Sequence, residues 1–172
     1  MRILRWLGYV VVAFVAAIAL FLVAARFHDG PLAMVAGGPL EAGELVAVPP
    51  EPDWAFTRDI PTVELQLISP ARSRTTWILE VDGRIYVPCA YPNNVIGRIW
   101  KQWPVEAERD GRAIVRVDGK RYARRLVRLR EGDIVDKLTA ELQRKYHAPA
   151  TPAAVESGTL WLFELAPPQT TG

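Results

Sequence analysis

One short stretch of the sequence groups side chains that can hold an anion. Residues 69–76 read SPARSRTT, so Arg72 and Arg74 alternate with the hydroxyls of Ser73 and Thr75. Arginine offers a fork of charged N–H donors to a phosphate, and hydroxyls add neutral donors. The same residue types also occur in solvated loops whose hydroxyls cap backbone groups. Both interpretations, an anion site and a solvated turn, stay open at this level.

The sequence shows no evident cluster of catalytic or metal-binding residues. A single cysteine, Cys89, excludes an intramolecular disulfide, a Cys-based zinc site and an iron–sulfur cluster. The histidines, His28 and His147, lie far apart, so no metal site is expected. Cys89 follows Pro88 in a predicted strand and is interpreted as a small core residue. Because no carboxylate pair or activated nucleophile is evident, an enzyme built on this chain would rely on a bound cofactor for its difficult step.

The N-terminal segment predicts a membrane anchor over residues 1–27. Residues 7–25 carry no charge and would form a helix about 28 Å long, close to the ~30 Å hydrocarbon thickness of a bilayer. Arg2 and Arg5 precede this stretch, which places the N-terminus in the cytoplasm and the rest of the chain outside. The alternative is a signal peptide cleaved near residue 25, followed by secretion. An apolar run longer than the usual ~7–15 residues favours the uncleaved, single-pass anchor.

The anchor is followed by a Gly/Pro-rich linker, residues 28–53, and by a folded domain, residues 54–172. The linker has no sustained periodicity and is interpreted as a spacer or a segment that wraps the domain. Trp54 and Phe56 predict a short strand or edge that docks on the domain.

The domain is predicted to be mainly β. Residues 62–68 alternate apolar and polar side chains, as in a half-buried strand. Asp82-Gly83 and Asp118-Gly119 each predict a two-residue hairpin turn, because both dipeptides accept positive φ. The predicted strands are 62–68, 75–81, 84–89, 112–117, 120–129 and 158–165.

Two helices are predicted between these strands. Residues 94–109 should hold one, beginning near Trp103 with Pro104 in its first turn. Asp133 is the predicted N-cap of the other, which packs by a stripe of Ile134, Leu138 and Leu142. This order of elements predicts an α+β fold, a small closed β-barrel with flanking helices.

Four stretches in this order resemble a known family. They are the 69–76 turn, the Asp82-Gly83 hairpin, the Trp103 helix running into Asp110-Gly111, and the closing helix with Tyr146 followed by residues 163–167. Together they resemble the split β-barrel of pyridoxamine-phosphate-oxidase-like proteins, most closely its deazaflavin-dependent nitroreductase branch. The resemblance covers about residues 62–167. The glycines usual in the turn are absent, and Tyr-Pro-Asn-Asn at 91–94 replaces a small-residue loop.

The resemblance implies an FMN or deazaflavin cofactor between barrel and helix, with its phosphate at the turn. The implied cofactor-binding residues are Arg72, Ser73, Arg74, Thr75 and Thr76 at the phosphate, and Tyr91, Asn93, Asn94, Lys101 and Trp103 on the far side of the pocket. A core role for Trp103 is the alternative.

Positive charge concentrates on the second predicted hairpin. Such strips commonly form the wet face of a sheet. The functional alternatives are contact with anionic lipid headgroups or with an acidic cofactor tail. A net charge of +2 and an extracytoplasmic location both argue against nucleic acid. The residues are Arg109, Arg112, Arg116, Lys120, Arg121, Arg124, Arg125, Arg128 and Arg130.

Three functions follow as hypotheses. The first is a membrane-anchored oxidoreductase that binds a flavin or deazaflavin, expected as a homodimer. The second is a cofactor-free binding or interaction module of the cell envelope. The third is a barrel that carries an apolar ligand between its tryptophans.

Overall fold

The computed structural model describes residues 2–90 and 102–168. These residues form a long N-terminal helix followed by an α+β domain. In chain order the elements are α1 Arg2–Ala25, β1 Glu44–Val46, a 3-10 helix Trp54–Thr57, β2 Thr62–Leu67, β3 Arg72–Trp77, β4 Leu79–Val81, β5 Arg84–Ala90, α2 Trp103–Arg109, β6 Arg112–Val117, β7 Lys120–Leu129, α3 Asp133–Tyr146, α4 Pro152–Glu156 and β8 Leu160–Ala166.

The strands share one sheet, in the order β3-β2-β6-β7-β8-β5-β4. All neighbours along this path are antiparallel, and β1 pairs in parallel with the first residues of β7. The sheet is not closed, so the closed barrel predicted from the sequence is corrected to an open sheet. Its end strands, β3 and β4, are separated in the chain by Ile78 alone. The sheet must therefore curve until its two ends lie near each other.

A break at Ile78 divides what the sequence predicts as one strand over residues 75–81. The Ile78 N–H donates to the Tyr146 hydroxyl at 3.1 Å, and its carbonyl accepts from that hydroxyl at 2.6 Å. The Lys145 ammonium donates to the same carbonyl at 2.9 Å. The end of α3 thus satisfies backbone groups that a continuous strand would pair with a neighbour. The chain can leave one end of the sheet and join the other at this residue.

Both predicted hairpins are confirmed. Asp82 and Gly83 have φ of 53° and 74°, and Asp118 and Gly119 have φ of 51° and 71°. Positive φ at both central residues is the type I′ geometry that matches the twist of paired strands. The turns set the registers of β4 with β5 and of β6 with β7.

Two apolar clusters lie on opposite faces of the sheet. The concave face encloses Trp54, Leu65, Val115 and Phe163, all fully buried. On the other face, α3 and α4 cover a second, smaller cluster. The predicted α3 stripe is confirmed at its core, where Leu138 and Leu142 are buried.

Two local predictions need correction, and the structure adds one helix. Trp54 docks on the core from a 3-10 helix capped by Asp53 rather than from a strand. The N-cap of α3 is Gly132, and Asp133 is already helical. Helix α4 was not predicted; Pro152 in its first turn and the Thr151 hydroxyl, which accepts from the Ala154 N–H at 3.2 Å, begin it.

Residues 28–43, here called the strap, wrap the outer face of β2 and β3 and the start of β7. The Ser73 hydroxyl donates to Gly38 O at 2.6 Å, and Leu40 N donates to Gln66 Oε1 at 2.7 Å. Arg116 clamps the start of the strap, because its guanidinium donates to both Glu64 and Asp29. These contacts hold the strap on the sheet from end to end.

Helix α1 is long and apolar enough to cross a membrane. Its 24 residues would span about 36 Å, more than the ~30 Å hydrocarbon core. None of its most apolar window is buried by other parts of the protein, so it is unlike the core helix of a globular domain. Its orientation in a membrane stays a prediction.

The Arg116 clamp is testable by substitution. Arg116→Gln leaves Asp29 and Glu64 without their ionic donor in a partly buried site, and we expect the free energy of unfolding to fall by about 1–3 kcal/mol. Arg112→Gln is the matched control, because the exposed Arg112 side chain pairs with Asp110 at the surface; no measurable change is expected there. Denaturant unfolding of the full chain in detergent micelles measures both, and equal effects would contradict the clamp.

The strap should also loosen in acid. Burial pulls the pKa of Asp29 upward, but hydrogen bonds from Glu41 N–H and Arg116 outweigh it and hold that pKa below its ordinary value. A carboxyl with a lowered pKa contributes stability above its unfolded pKa of roughly 4 and loses it as the pH falls through the folded value. Thermal unfolding should therefore show a loss of stability in acid that is smaller in Asp29→Asn. The same loss in both proteins would contradict this role.

Candidate anion-binding site

The register of β3 turns two arginines toward the concave face of the sheet. Arg72 pairs with Leu67 and Arg74 with Leu65, and paired residues of antiparallel strands share a face. Both leucines are fully buried, so the arginine stems lie over the edge of the main core. Ser73 and Thr75 point to the opposite face. Because β3 is the end strand of the sheet, the guanidinium groups extend past the core at its margin.

Arg74 is a cation in a dry setting. Its guanidinium carbon lies 5.4 Å from the centroid of the Trp103 ring, and its Nε is buried with no hydrogen-bond partner among the described residues. Burial lowers the pKa of Arg74 to about 10, an effect that Glu106 opposes and Arg72 reinforces. The group nevertheless stays charged at neutral pH. An anion that reached it would find donors not already engaged.

Arg72 has a similar but more open environment. Its Nη2 donates to the strap carbonyl of Ala36 at 3.3 Å, while its Nε is also buried and unpartnered within the described part of the chain. Burial lowers its pKa, and the positive charge of Arg26 lowers it further. Three arginines therefore repel one another at this margin, a charge arrangement that a bound anion would relieve.

These groups border a cavity of about 660 Å³ at the junction of α1, the strap and the sheet. Among the residues that the structure describes, its lining combines cations and apolar groups and includes no carboxylate. Its volume falls within the range of roughly 300–1,000 Å³ typical of small-molecule sites. The lining residues are Leu22, Arg26, Met34, Val35, Ala36, Arg72, Arg74, Thr75 and Trp103.

The structure brings part of the predicted set together. Arg72, Arg74, Thr75 and Trp103 line the cavity, and Trp103 is at the same time a buried core residue against Phe163. Trp103, the first residue of α2, therefore packs in the core and also lines the cavity. The sequence left these two roles open as alternatives.

The hydroxyls of the predicted turn have other partners. Ser73 is fully buried and donates to Gly38 O, and Thr75 donates to Ala33 O at 3.1 Å. The predicted turn is wrong at these positions, because both residues lie in strand β3. Their hydroxyls do bond backbone groups, as the solvated-turn interpretation expected, but those groups are strap carbonyls. Thr76 shares the inner face with Arg74 but does not line the cavity. Tyr91, Asn93, Asn94 and Lys101 lie outside the described residues.

Sequence reasoning missed the contributions of α1 and the strap. Leu22 lies in the last turn of α1, Arg26 follows its end, and Met34 to Ala36 come from a stretch interpreted as linker. Only the apolar character of Met34 and Val35 within a Gly/Pro-rich segment hinted at a buried or docking role.

The arginine-rich hairpin lies elsewhere and is largely engaged within the protein. Arg121 donates to Leu40 O at 2.7 Å, and the buried Arg124 pairs with Glu51 at 2.5 Å. Arg128 and Arg130 share Glu108, at 2.7 and 2.9 Å. These groups hold the strap, the segment around Glu51 and α2 in place. Contact of this hairpin with lipid or a cofactor tail stays a prediction. Cys89 is buried in the main core.

Fold and site together define an α+β protein with one N-terminal helix suited to a membrane and a cationic cavity where that helix meets the sheet. No protein-family model, curated protein or solved structure matches the chain.

The cost of holding Arg74 uncompensated is measurable. Arg74→Met keeps the stem over Trp103 and removes a desolvated charge, so we expect the free energy of unfolding to rise by about 1 kcal/mol. Arg84→Met, at an exposed arginine that does not line the cavity, serves as control and should change nothing. Denaturant unfolding provides the measurement. A loss of stability in Arg74→Met would show that the guanidinium is structural.

Proposed function

We propose that this chain is a membrane-anchored split-barrel protein whose junction cavity binds a phosphate-bearing flavin or deazaflavin cofactor and supports oxidoreduction. Its N-terminus lies in the cytoplasm and its domain outside, because Arg2 and Arg5 flank the inner end of α1. The single observation that carries the proposal is the pair of Arg72 and Arg74, whose buried Nε donors have no hydrogen-bond partner among the described residues, at a cavity whose described lining contains no carboxylate.

The topology supports the split-barrel assignment. The end strands of the curved sheet, β3 and β4, are consecutive in the chain, and the sequence order of strands, helix, strands, helix and strand is that of the family resemblance. Helix α2 follows the first hairpin and places Trp103 at the sheet margin. The phosphate-binding residues implied by the resemblance, Arg72 and Arg74, reach the same cavity.

The charges of the site suit a phosphate. Arginine presents parallel N–H donors to two phosphate oxygens, and such charge-assisted bonds strengthen in a dry site. Arg74 would supply the buried donor and Arg72 the more exposed one. Trp103, Val35 and Leu22 provide apolar walls that keep water from part of the ligand.

The bound flavin or deazaflavin would supply hydride transfer. The chain's own part is to bind and orient the cofactor through Arg72 and Arg74, with Trp103 holding the Arg74 guanidinium by a cation–π contact. No side chain in the described cavity lining is a general acid or base, because the titratable groups there are arginines.

A second candidate is the cofactor-free envelope module. It is favoured by the Ser73 and Thr75 hydroxyls, which bond to the strap and so are removed from the implied phosphate set. In this case the cavity would bind an anionic group of a partner, and no redox chemistry would follow.

Titration of the full chain in detergent micelles with FMN and with a deazaflavin cofactor separates the two. We expect micromolar binding, followed by cofactor fluorescence, and at least a tenfold loss in Arg74→Gln, about 1.4 kcal/mol. Arg84→Gln should bind as the native chain does. If neither cofactor binds at high micromolar concentration, the cofactor proposal fails and the module remains.

A further inference from the structure

The face of the protein around the cavity mouth has features that the cofactor proposal does not use. Two large apolar side chains there project into the surroundings, since Phe27 is 85% and Met34 fully exposed. Exposed apolar side chains next to a membrane helix call for an apolar environment.

Met34 is held outward by a defined turn. Two backbone hydrogen bonds close this turn: Leu32 N–H donates to Val35 O at 3.0 Å, and Val35 N–H donates to Leu32 O at 2.9 Å. Ala33 and Met34 therefore form its tip. The Thr75 hydroxyl ties Ala33 O to β3. The turn is thus fastened to the end strand of the sheet rather than extended into solvent.

The depth of this face relative to a bilayer follows from Leu22. Leu22 belongs to the uncharged run of α1 and yet lines the cavity with Arg72 and Arg74. It lies three residues before the end of the helix, about 5 Å along the axis. If α1 spans a bilayer, the cavity wall reaches the boundary between hydrocarbon and headgroups.

The charge of the face suits lipid phosphates. The side chain of Arg26, at the rim, makes no hydrogen bond or ion pair with any described residue, and nearby Asp29 is engaged by Arg116 and by Glu41 N–H instead. A rim of Arg26, Phe27 and Met34 combines a cation with apolar groups, as interfacial membrane segments do.

We propose that this rim docks on the bilayer that α1 spans, with Arg26 at phospholipid phosphates and with Phe27 and Met34 among the upper acyl chains. The strap leaves no slack, so the domain lies against the membrane and its cavity opens at the headgroup layer. This docking is independent of the cofactor and requires only the membrane.

The two methionines of the chain, Met1 and Met34, allow a test on the native sequence. The full chain is prepared with ¹³C-methyl methionine in phosphatidylcholine nanodiscs, and Met34→Leu assigns the signals. A lipid carrying a nitroxide below its headgroup should broaden the Met34 methyl several-fold more than a control methyl at Glu156→Met, an exposed position on α4. A soluble gadolinium chelate should do the reverse.

Three outcomes would overturn the docking. If the Met34 methyl is as accessible to the chelate as the control methyl, the rim faces water. Met34 shielded from both agents would show that protein, such as a second copy, covers it. Equal lipid broadening at both methyls would show that another face is docked.

A second arm tests the charge. Adding phosphatidylglycerol to the nanodiscs should increase lipid broadening at Met34 in the native chain, and this increase should be lost in Arg26→Gln. An unchanged increase in Arg26→Gln would refute the role of Arg26. FMN titration of the same samples is a separate readout, so failure of docking and failure of cofactor binding can be told apart.

Discussion

The fastening of the strap to the sheet is the constraint on which the rest of the structure depends. Arg116 bonds both Asp29 from the strap and Glu64 from β2, so the chain is held to the sheet only a few residues after α1 ends. Because no free linker intervenes, the end of α1 becomes one wall of a cavity in the domain. A loose tether would have left the arginines of β3 at an open sheet edge.

The cavity concentrates positive charge where the protein does not balance it. Elsewhere in the described structure, arginines such as Arg116 and Arg124 have carboxylate partners. Among the described residues, Arg74 has the Trp103 ring and the electrostatic influence of Glu106, but no hydrogen-bonded carboxylate. A buried cation without a partner lowers stability, and such groups are found where a ligand completes the site. The phosphate proposal rests on this contrast within one molecule.

The sequence predicted those features whose causes are local. The type I′ turns at Asp82-Gly83 and Asp118-Gly119 follow from dipeptides that accept positive φ, and the apolar stripe of α3 follows from helical spacing. The break at Ile78 was not predictable in this way, since the groups that satisfy its backbone come from Lys145 and Tyr146, far along the chain.

The candidate site likewise combines features that the sequence predicts with features that depend on the tertiary structure. Arg72 and Arg74 were identified from residue type and alternation, but the partners of the Ser73 and Thr75 hydroxyls became visible only once the strap was placed.

By itself, then, the sequence determined a long apolar N-terminal helix, the hairpins, the α3 stripe and a cluster of arginines and hydroxyls, because each depends on side chains within a few residues. Only the tertiary structure decided that the sheet stays open, that Asp29 forms an ion pair with Arg116 and that α1 and β3 line the same cavity. These are contacts between distant segments, and their selection depends on the packing of the whole chain rather than on any local preference.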